Sequence, residues 1–268
     1  EEYRYILGTR GENPLICFFP SDPIIQDKET FQRNIKDCMA FMENSDCILT
    51  IGIEPTSPNT GYGYIETGDL IECGLSTPIR KALSFREKPD LATAEAYLKT
   101  GRFKWNAGTF FMHASTLDKA FRDYAPDIAR VCDRIRAVLA HDSSETLEDA
   151  YADAPRISFD YAVMERFPDI AVAECSFGWD DAGTWSSMRN QIAPGEHNNV
   201  VRGIHVGLDT TNSTIVTTPA HLVATVDLDD VIVVHTDDAT LVCNGKSAQR
   251  IKELLKLIEA RPELRSFL

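Results

Sequence analysis

Apolar residues recur along the chain in two patterns, continuous runs and helical spacing. Up to about residue 175, short continuous apolar runs such as 15–19 and 47–53 alternate with segments of helical spacing such as 28–43. Short unbroken runs are typical of strands buried on both faces of a parallel sheet, and this alternation predicts strand–helix–strand units. The first of these, over 15–53, has segment lengths that fit a right-handed βαβ unit.

Capping residues define several predicted helices in this first part of the chain. Asp90 is a favourable N-cap, and Gly101 stands where a C′ glycine ends a helix. The segment WNAGTFFMH that follows is apolar and predicts a strand. Further helices are predicted to begin after Ser115, at Pro126 and near Ser158, the last over 157–167.

The pattern changes near Pro194. From 199 to 242 the chain consists of short β-rich segments separated by turn-like clusters, which is typical of a small all-β unit. The final segment predicts an amphipathic helix whose apolar face is formed by Ile251, Leu254, Leu255 and Ile258. We therefore predict an α/β domain over 1–192 and a β-rich domain over 193–268 that ends in a helix.

Length and composition are those of a globular protein. The chain has 268 residues, of which 43% are hydrophobic, and this is enough to bury a sizeable core. Apolar runs fall short of the ~20 residues that span a bilayer, and the first residues lack the basic-then-apolar form of a signal peptide. The seven cysteines form no C-x-x-C pair. We expect reduced, buried cysteines in a cytoplasmic protein with no membrane partner.

Charge narrows the range of partners. The formal net charge is −14, which argues against nucleic acid as a partner because binding its backbone needs clustered Lys and Arg. An anionic ligand would also be repelled by an acidic surface. A divalent cation held by carboxylates would then supply the local positive charge.

Carboxylates follow two of the apolar runs. Asp22 comes shortly after the run that ends at Phe19, and ligands of open α/β sheets bind outside the carboxyl ends of strands. Asp180 and Asp181 follow a later run, and because adjacent side chains point in different directions, one of them at most faces a site. Mg²⁺ takes one or two carboxylates plus substrate phosphates. The alternatives are an ordinary turn at Asp22 and an acidic helix N-terminus at Asp181.

Two further segments carry polar groups suited to a sugar phosphate. In FREKP, Glu87 can accept hydrogen bonds from sugar hydroxyls and Lys88 can meet a phosphate as a point charge. In WNAGTFF, Asn106 offers both a donor and an acceptor. The glycines beside Tyr62 either allow a ligand close to the backbone or form a turn. A charged strand end and a buried tryptophan corner are the structural alternatives.

Together these segments resemble a known family. PSDPIIQDKETF, GIEPTSPNTGYGYI, FREKPDLATAEAYLKTGRFKWNAGTFFMH, ISFDYAVMER and FGWDDAGTW follow in the order and spacing of the mannose-1-phosphate guanylyltransferases, which are sugar nucleotidyltransferases. The resemblance covers the chain from about Leu15 onward. It implies a Rossmann-like α/β nucleotidyltransferase domain with a mostly parallel sheet, followed by a small left-handed β-helix-like unit and a final helix.

The resemblance also implies a reaction, a cofactor and partners. Mannose 1-phosphate would attack the α-phosphorus of GTP in line, giving GDP-mannose and pyrophosphate, with positioning and electrostatics supplying the rate. Asp22 and Asp181 match the positions that bind Mg²⁺, which would neutralise charge and act as a template. Assembly of two copies of the chain into a homodimer is left open.

The sugar side of the implied site comes from other segments. Lys88 matches the lysine that meets the sugar phosphate, and it counts with the two metal-binding aspartates as catalytic. Gly63, Glu87 and Asn106 match the mannose-binding positions. Asp160 matches a residue that supports them.

Two departures from the family pattern stand out. The Gly-rich nucleotide loop is represented only by the letters GTR in LGTRGE at 7–12, so we expect that loop to lie outside this sequence. Pro23 stands where the family has histidine. Two alternatives therefore stay open: a sugar-phosphate-binding or regulatory subunit without the nucleotide loop, and a nucleotidyltransferase that acts on another sugar phosphate.

Overall fold

The structure is a computed structural model that describes residues 13–181 and 194–268. It divides into two compact units, one comprising the described residues of Glu1–Ser21 and Ile25–Trp179, the other Asp22–Ile24 and the described residues of Asp180–Leu268. The domain boundary predicted at 192/193 and the segment LGTRGE lie outside the described residues, as does the end of FGWDDAGTW.

Strands and helices are interspersed in the first unit, but they do not alternate regularly as the apolar pattern predicts, since successive strands and successive helices both occur. The strands are β1 (Leu15–Phe18), β2 (Ile24–Ile25), β3 (Ile48–Ile53), β4 (Tyr64–Leu70), β5 (Ile79–Arg86), β6 (Phe103–His113), β7 (Ile170–Cys175) and β8 (Trp179–Asp180). The helices are α1 (Lys28–Met42), α2 (Leu91–Thr100), α3 (Ala114–Tyr124), α4 (Pro126–Leu139) and α5 (Leu147–Ala152).

Six of the described strands form one sheet in the order β1-β6-β3-β7-β5-β4. Within the described residues, its one parallel pairing joins β3 and β7; β1–β6, β3–β6, β5–β7, β4–β5 and β4–β6 are antiparallel. The prediction of a mostly parallel sheet is therefore wrong for this part, and the sheet is mixed. An apolar run reports burial on both faces of a strand, but not the direction of its neighbours.

The predicted βαβ unit is split by a third strand. β6 lies between β1 and β3 and pairs antiparallel with both. Among the described residues, β1 is consequently an edge strand, and its residues are half-buried or exposed rather than buried on both faces. β3 has the predicted environment, because all of its residues are buried.

Capping residues place the helix ends where the sequence predicts them. The Asp90 carboxylate accepts a hydrogen bond from Thr93 N at 2.8 Å, and Gly101 ends α2 with a φ of +66°. α4 begins at Pro126. The helix predicted over 157–167 is confirmed only in part, because the structure has a short helix of π type at Asp160–Met164, a single wide turn.

The core of the first unit lies on both faces of the large sheet. Neighbouring residues of β3 belong to different apolar clusters, Leu49 to one and Ile48 to the other. Phe111 and Phe110 of β6 divide in the same way. Side chains alternate across a strand, so the sheet separates two apolar layers and its strand ends remain available for polar residues.

The second unit is a stack of short strands. They are β9 (Val200–Arg202), β10 (Ile204–Leu208), β11 (Thr214–Val216), β12 (Leu222–Val226), β13 (Val231–His235) and β14 (Thr240–Asn244). β9, β11 and β13 pair in parallel, and β10 pairs in parallel with β12. Each coil of chain thus repeats the previous one, as in a β-helix, and β14 closes the stack antiparallel to β13.

Recurring corners connect the coils. Asp209 and Asn212 adopt a φ of +50°, and Asp227 and Asp230 repeat these positions in the next coil with a φ of +52°. Asn and Asp tolerate this left-handed conformation better than other non-glycine residues. The turn-like clusters of the sequence therefore correspond to the corners of the stack.

The chain ends with α6 (Ile251–Glu259), flanked by 3₁₀ turns at Gly245–Arg250 and Pro262–Phe267. The predicted amphipathic helix is confirmed but shorter. Its predicted apolar face is not buried, because Leu254 and Leu255 are exposed while Ile251 and Ile258 are half-buried. In the part of the chain that the structure describes, the helices lack the length and apolar content that a membrane crossing requires.

Candidate functional site

The end of β5 holds the two charged residues of FREKP in a strained turn. Glu87 is only 7% exposed, whereas the side chain of Lys88 is 46% exposed. Lys88 has a φ of +46° although it precedes Pro89, and residues before proline favour extended backbone. Such a conformation costs about 1–3 kcal/mol and persists where surrounding contacts hold it.

Contacts hold this turn from two sides. The Glu87 N–H donates to Glu165 Oε1 at 3.0 Å. The Lys88 ammonium pairs with Glu87 Oε1. The turn therefore keeps one carboxylate inside the protein and presents one ammonium group to solvent.

Asn106 on β6 has a fixed amide orientation. Its Oδ1 accepts hydrogen bonds from Thr50 Oγ1 and from Gly108 N–H, both at 3.1 Å. Its Nδ2 donates to Asp160 Oδ1 at 3.0 Å. The carbonyl oxygen is thus engaged within the protein, and the amino group joins Asn106 to Asp160.

Gly63 allows three segments to approach one another. Its carbonyl oxygen accepts a hydrogen bond from Asn106 N–H at 2.9 Å. A Cβ atom at this position would collide with Glu87 Oε2 and would stand 3.3 Å from Asn106 Cβ. Glycine is therefore required for Gly63 to lie against both predicted sugar-binding side chains.

The wide turn at Asp160–Met164 brings a further carboxylate to the same place. Glu165 N–H donates to the Asp160 carbonyl oxygen at 3.1 Å, one residue farther back than in an α-helix. Single turns of this kind occur frequently at functional sites. Glu165 was not predicted from the sequence, although it follows directly after the DYAVM stretch that carries Asp160.

Thr50 and Glu165, which were not predicted from the sequence, support a group of five predicted residues. The structure brings these five together in the first compact unit: Gly63, Glu87, Lys88, Asn106 and Asp160. We call this group the sugar cluster. Its five members come from four segments that are distant in sequence, and three of the four segments are strands of the large sheet or their ends.

Burial and charge set the electrostatics of the sugar cluster. Burial raises the pKa of Glu87, and the charges of Asp160 and Glu165 add to this rise while Lys88 opposes it. Burial also raises the pKa of Asp160. For Lys88, burial alone would lower the pKa, but the carboxylates of Glu87 and Asp160 outweigh it and raise the pKa. Lys88 therefore stays charged, and the crowded carboxylates gain from hydrogen-bond donors such as hydroxyl groups.

Asp22 and Asp181 lie on neighbouring chain segments. β2 pairs with β8, and the hydrogen bonds Gln26 N–H to Gly178 O (3.2 Å) and Asp27 N–H to Phe177 O (3.0 Å) show that these segments run in opposite directions. The residues just before β2 therefore lie beside those just after β8. Asp22 is exposed and Asp181 half-buried.

The metal site itself stays a prediction. Over residues 13–181 and 194–268, no group of three or more His, Cys, Asp or Glu side chains is arranged to hold a metal ion. Two carboxylates do suit Mg²⁺, which keeps waters and substrate phosphates as its remaining ligands. Both aspartates belong to the second compact unit and the sugar cluster to the first.

Two protein-family models match this chain. A family model described as "Nucleotidyl transferase" matches residues 4–194. A second, described as "MannoseP isomerase/GMP-like beta-helix domain", matches residues 203–258. The second match agrees with the stacked parallel strands of β9–β13.

Curated relatives and a solved structure are similar over nearly the whole chain. Xanthan biosynthesis protein XanB of Xanthomonas campestris is 37% identical over 93% of this chain and 52% of its own length. Mannose-1-phosphate guanylyltransferase of Escherichia coli is 34% identical over 93% of this chain and 54% of its own length. The chain thus spans about half the length of the curated relatives it matches. A crystal structure from Thermus thermophilus, described as mannose-1-phosphate geranyltransferase, is 29% identical with a TM-score of 0.78, over 95% of this chain and 72% of its own.

Proposed function

Because this chain belongs to the nucleotidyl transferase family, we propose that it carries the sugar-phosphate side of a mannose-1-phosphate guanylyltransferase. A phosphate oxygen of mannose 1-phosphate attacks the α-phosphorus of GTP, the bond to the β-phosphate oxygen breaks, and pyrophosphate leaves with that electron pair. GDP-mannose is the other product. The sugar cluster is the observation that supports this proposal most strongly.

Four members of the sugar cluster have roles in the proposal. The Lys88 ammonium, half-exposed at the end of a strand, binds the phosphate of the sugar and orients its attacking oxygen. Glu87 accepts hydrogen bonds from sugar hydroxyls through its buried carboxylate, whose pKa burial raises. Asn106 and Asp160 form the adjoining wall.

Asp22 and Asp181 are proposed to hold Mg²⁺, since their carboxylates are the hard oxygen ligands it prefers. When bound, the ion would offset negative charge on the phosphates. The two side chains would hold the positive charge of the ion beside the reacting phosphates. This also fits a chain whose formal net charge is −14, which otherwise repels two anionic substrates.

The test is pyrophosphate release from GTP and mannose 1-phosphate by the full-length protein that contains this chain. We expect turnover that requires Mg²⁺ and is abolished by Asp181→Asn with little change in thermal unfolding. Lys88→Ala should raise KM for mannose 1-phosphate far more than KM for GTP, because its ammonium contacts only the sugar phosphate.

Three results would contradict the proposal in different ways. Mannose 1-phosphate binding by calorimetry without pyrophosphate release would favour the binding or regulatory subunit. Turnover with glucose 1-phosphate in preference to mannose 1-phosphate would assign the chain to another sugar nucleotidyltransferase. Unchanged turnover in Asp181→Asn would remove Asp181 from the metal site.

A further inference from the structure

Glu165 lies where the wide turn meets the end of β5. Its backbone N–H donates to the Asp160 carbonyl oxygen at 3.1 Å, and its Oε1 accepts the hydrogen bond from Glu87 N–H at 3.0 Å. One residue is therefore bonded both to the segment that carries Asp160 and to the segment that carries Glu87 and Lys88.

The hydrogen bond to Glu87 acts next to the strained residue. Lys88 keeps a φ of +46° in front of Pro89, and such backbone persists only when its surroundings hold it. A hydrogen bond from a backbone N–H to an ionised carboxylate is stronger than one between neutral groups. Glu165 is half-buried, which limits competition from water.

The ion pair with Glu87 cannot replace this contact. Lys88 Nζ pairs with Glu87 Oε1 through flexible side chains, so this pair restrains the ammonium but does not hold the backbone of the turn. The carboxylate of Glu165 instead holds the N–H of the peptide that joins Arg86 to Glu87, and with it the direction in which the chain leaves β5 toward Lys88.

We propose that Glu165 is a positioning residue for the sugar phosphate. It holds the strained turn that aims the Lys88 ammonium, and through the wide turn it sets the distance between Lys88 and Asp160. The inference rests on the proposed function and adds to it a residue that touches no substrate. Its effect is confined to the sugar-phosphate side of the reaction.

The test compares three variants of the full-length protein by steady-state kinetics. Glu165→Ala removes the acceptor, Glu165→Gln keeps an oxygen at the same distance, and Glu95→Ala removes an exposed carboxylate on α2 as the control. We expect Glu165→Ala to raise KM for mannose 1-phosphate roughly 10-fold, as loss of one charged hydrogen bond implies. KM for GTP should change less than about 2-fold. Glu165→Gln should recover most of the loss, and Glu95→Ala should behave as the wild type.

A double-variant cycle separates positioning from folding. If Glu165 acts through Lys88, Glu165→Gln and Glu165→Ala should have nearly equal KM for mannose 1-phosphate once Lys88 is replaced by Ala. Independent, multiplying effects would overturn the inference. So would equal increases of both KM values, or an unchanged KM in Glu165→Ala with normal thermal unfolding.

Two further outcomes also decide whether the inference about Glu165 holds. If Glu165→Ala does not fold, Glu165→Asp, which keeps the charge but shortens the reach, should show the same selective rise in KM for mannose 1-phosphate, and its absence overturns the inference. If the wild type shows no turnover, the proposed function fails. Calorimetric binding of mannose 1-phosphate to the same variants then tests Glu165 alone.

Discussion

At the scale of single residues, the sugar cluster depends on close approach rather than on the number of polar groups. Glu87 is buried beside Asp160 and Glu165, and burial raises the pKa of Glu87. The cluster tolerates this because Lys88 supplies a positive charge that contacts Glu87 directly. A small displacement of any member therefore changes both the hydrogen bonding and the charge balance of the others.

Gly63→Ala tests this dependence on close approach. The added Cβ collides with Glu87 Oε2, the end of a side chain that can move, so the fold should survive with a loss of about 1 kcal/mol or less. The displaced carboxylate would disturb the ion pair with Lys88. We expect KM for mannose 1-phosphate to rise about 10-fold or more while KM for GTP stays within about 2-fold.

A glycine in open surroundings is the matched control for this variant. The atom that a Cβ at Gly195 would meet is Asn199 O at 3.6 Å, which is ordinary contact. Gly195→Ala should therefore leave both KM values and thermal unfolding unchanged. Equal kinetics for Gly63→Ala and Gly195→Ala would show that Glu87 does not need its present position.

At the scale of elements, hydrogen bonds to one carboxylate join α1 to the start of β5. Asp37 Oδ2 accepts from Ser76 Oγ at 2.6 Å, from Thr77 N at 2.9 Å and from Thr77 Oγ1 at 2.7 Å. Burial alone would raise the pKa of Asp37, but these hydrogen bonds outweigh it and lower the pKa. α1 is thus held to the segment that leads into the strand ending at Glu87.

Asp37→Asn should lower the free energy of unfolding by about 1 kcal/mol near neutral pH, the modest net value expected when hydrogen bonds to one half-buried carboxylate are weakened. A carboxyl group with a lowered folded-state pKa stabilises the fold above its unfolded pKa of about 3.9, and this contribution is lost as the pH falls through the folded value. The difference from the wild type should therefore shrink below about pH 4 in urea titrations. The exposed Asp123→Asn is the control. A difference independent of pH would rule out the ionised carboxylate as the cause.

Elements were predictable where one residue type has one conformational role. Asp90 and Gly101 bounded α2 correctly because capping needs a side-chain oxygen at one end and a left-handed residue at the other. The insertion of β6 between β1 and β3 was not predictable, because apolar runs carry no information on strand order. The wide turn was also missed, since the apolar residues of 157–167 have the spacing of an ordinary helix.

The candidate site shows the same limit. Glu87, Lys88, Asn106 and Gly63 were identified by resemblance, and the structure brings them together. The sequence could not indicate that Glu165 is bonded to Glu87, because that contact joins segments 78 residues apart. The roles of Asp22 and Asp181 remain predictions.

At the scale of the whole molecule, the two compact units have separate cores. Ile215 is fully buried in the stacked strands of the second unit, where it lies in register with Val201 and Val233. Leu49 is fully buried in the sheet of the first unit. Because coils of a stack contact mainly their neighbours, damage to one coil should spread along the stack before it affects other parts of the chain.

Ile215→Ala tests whether stability is divided in this way. Loss of the buried side chain should cost about 2–4 kcal/mol, and Val206→Ala, at a position where the side chain is 63% exposed, should cost about 0.5 kcal/mol or less. Amide hydrogen exchange should accelerate in β9, β11 and β13 of Ile215→Ala while β3 keeps wild-type protection. If the amides of β3 accelerated as much as those of β11, the two units would unfold as one. Selective acceleration would mean that the stacked strands can open while the sheet that carries the sugar cluster stays folded.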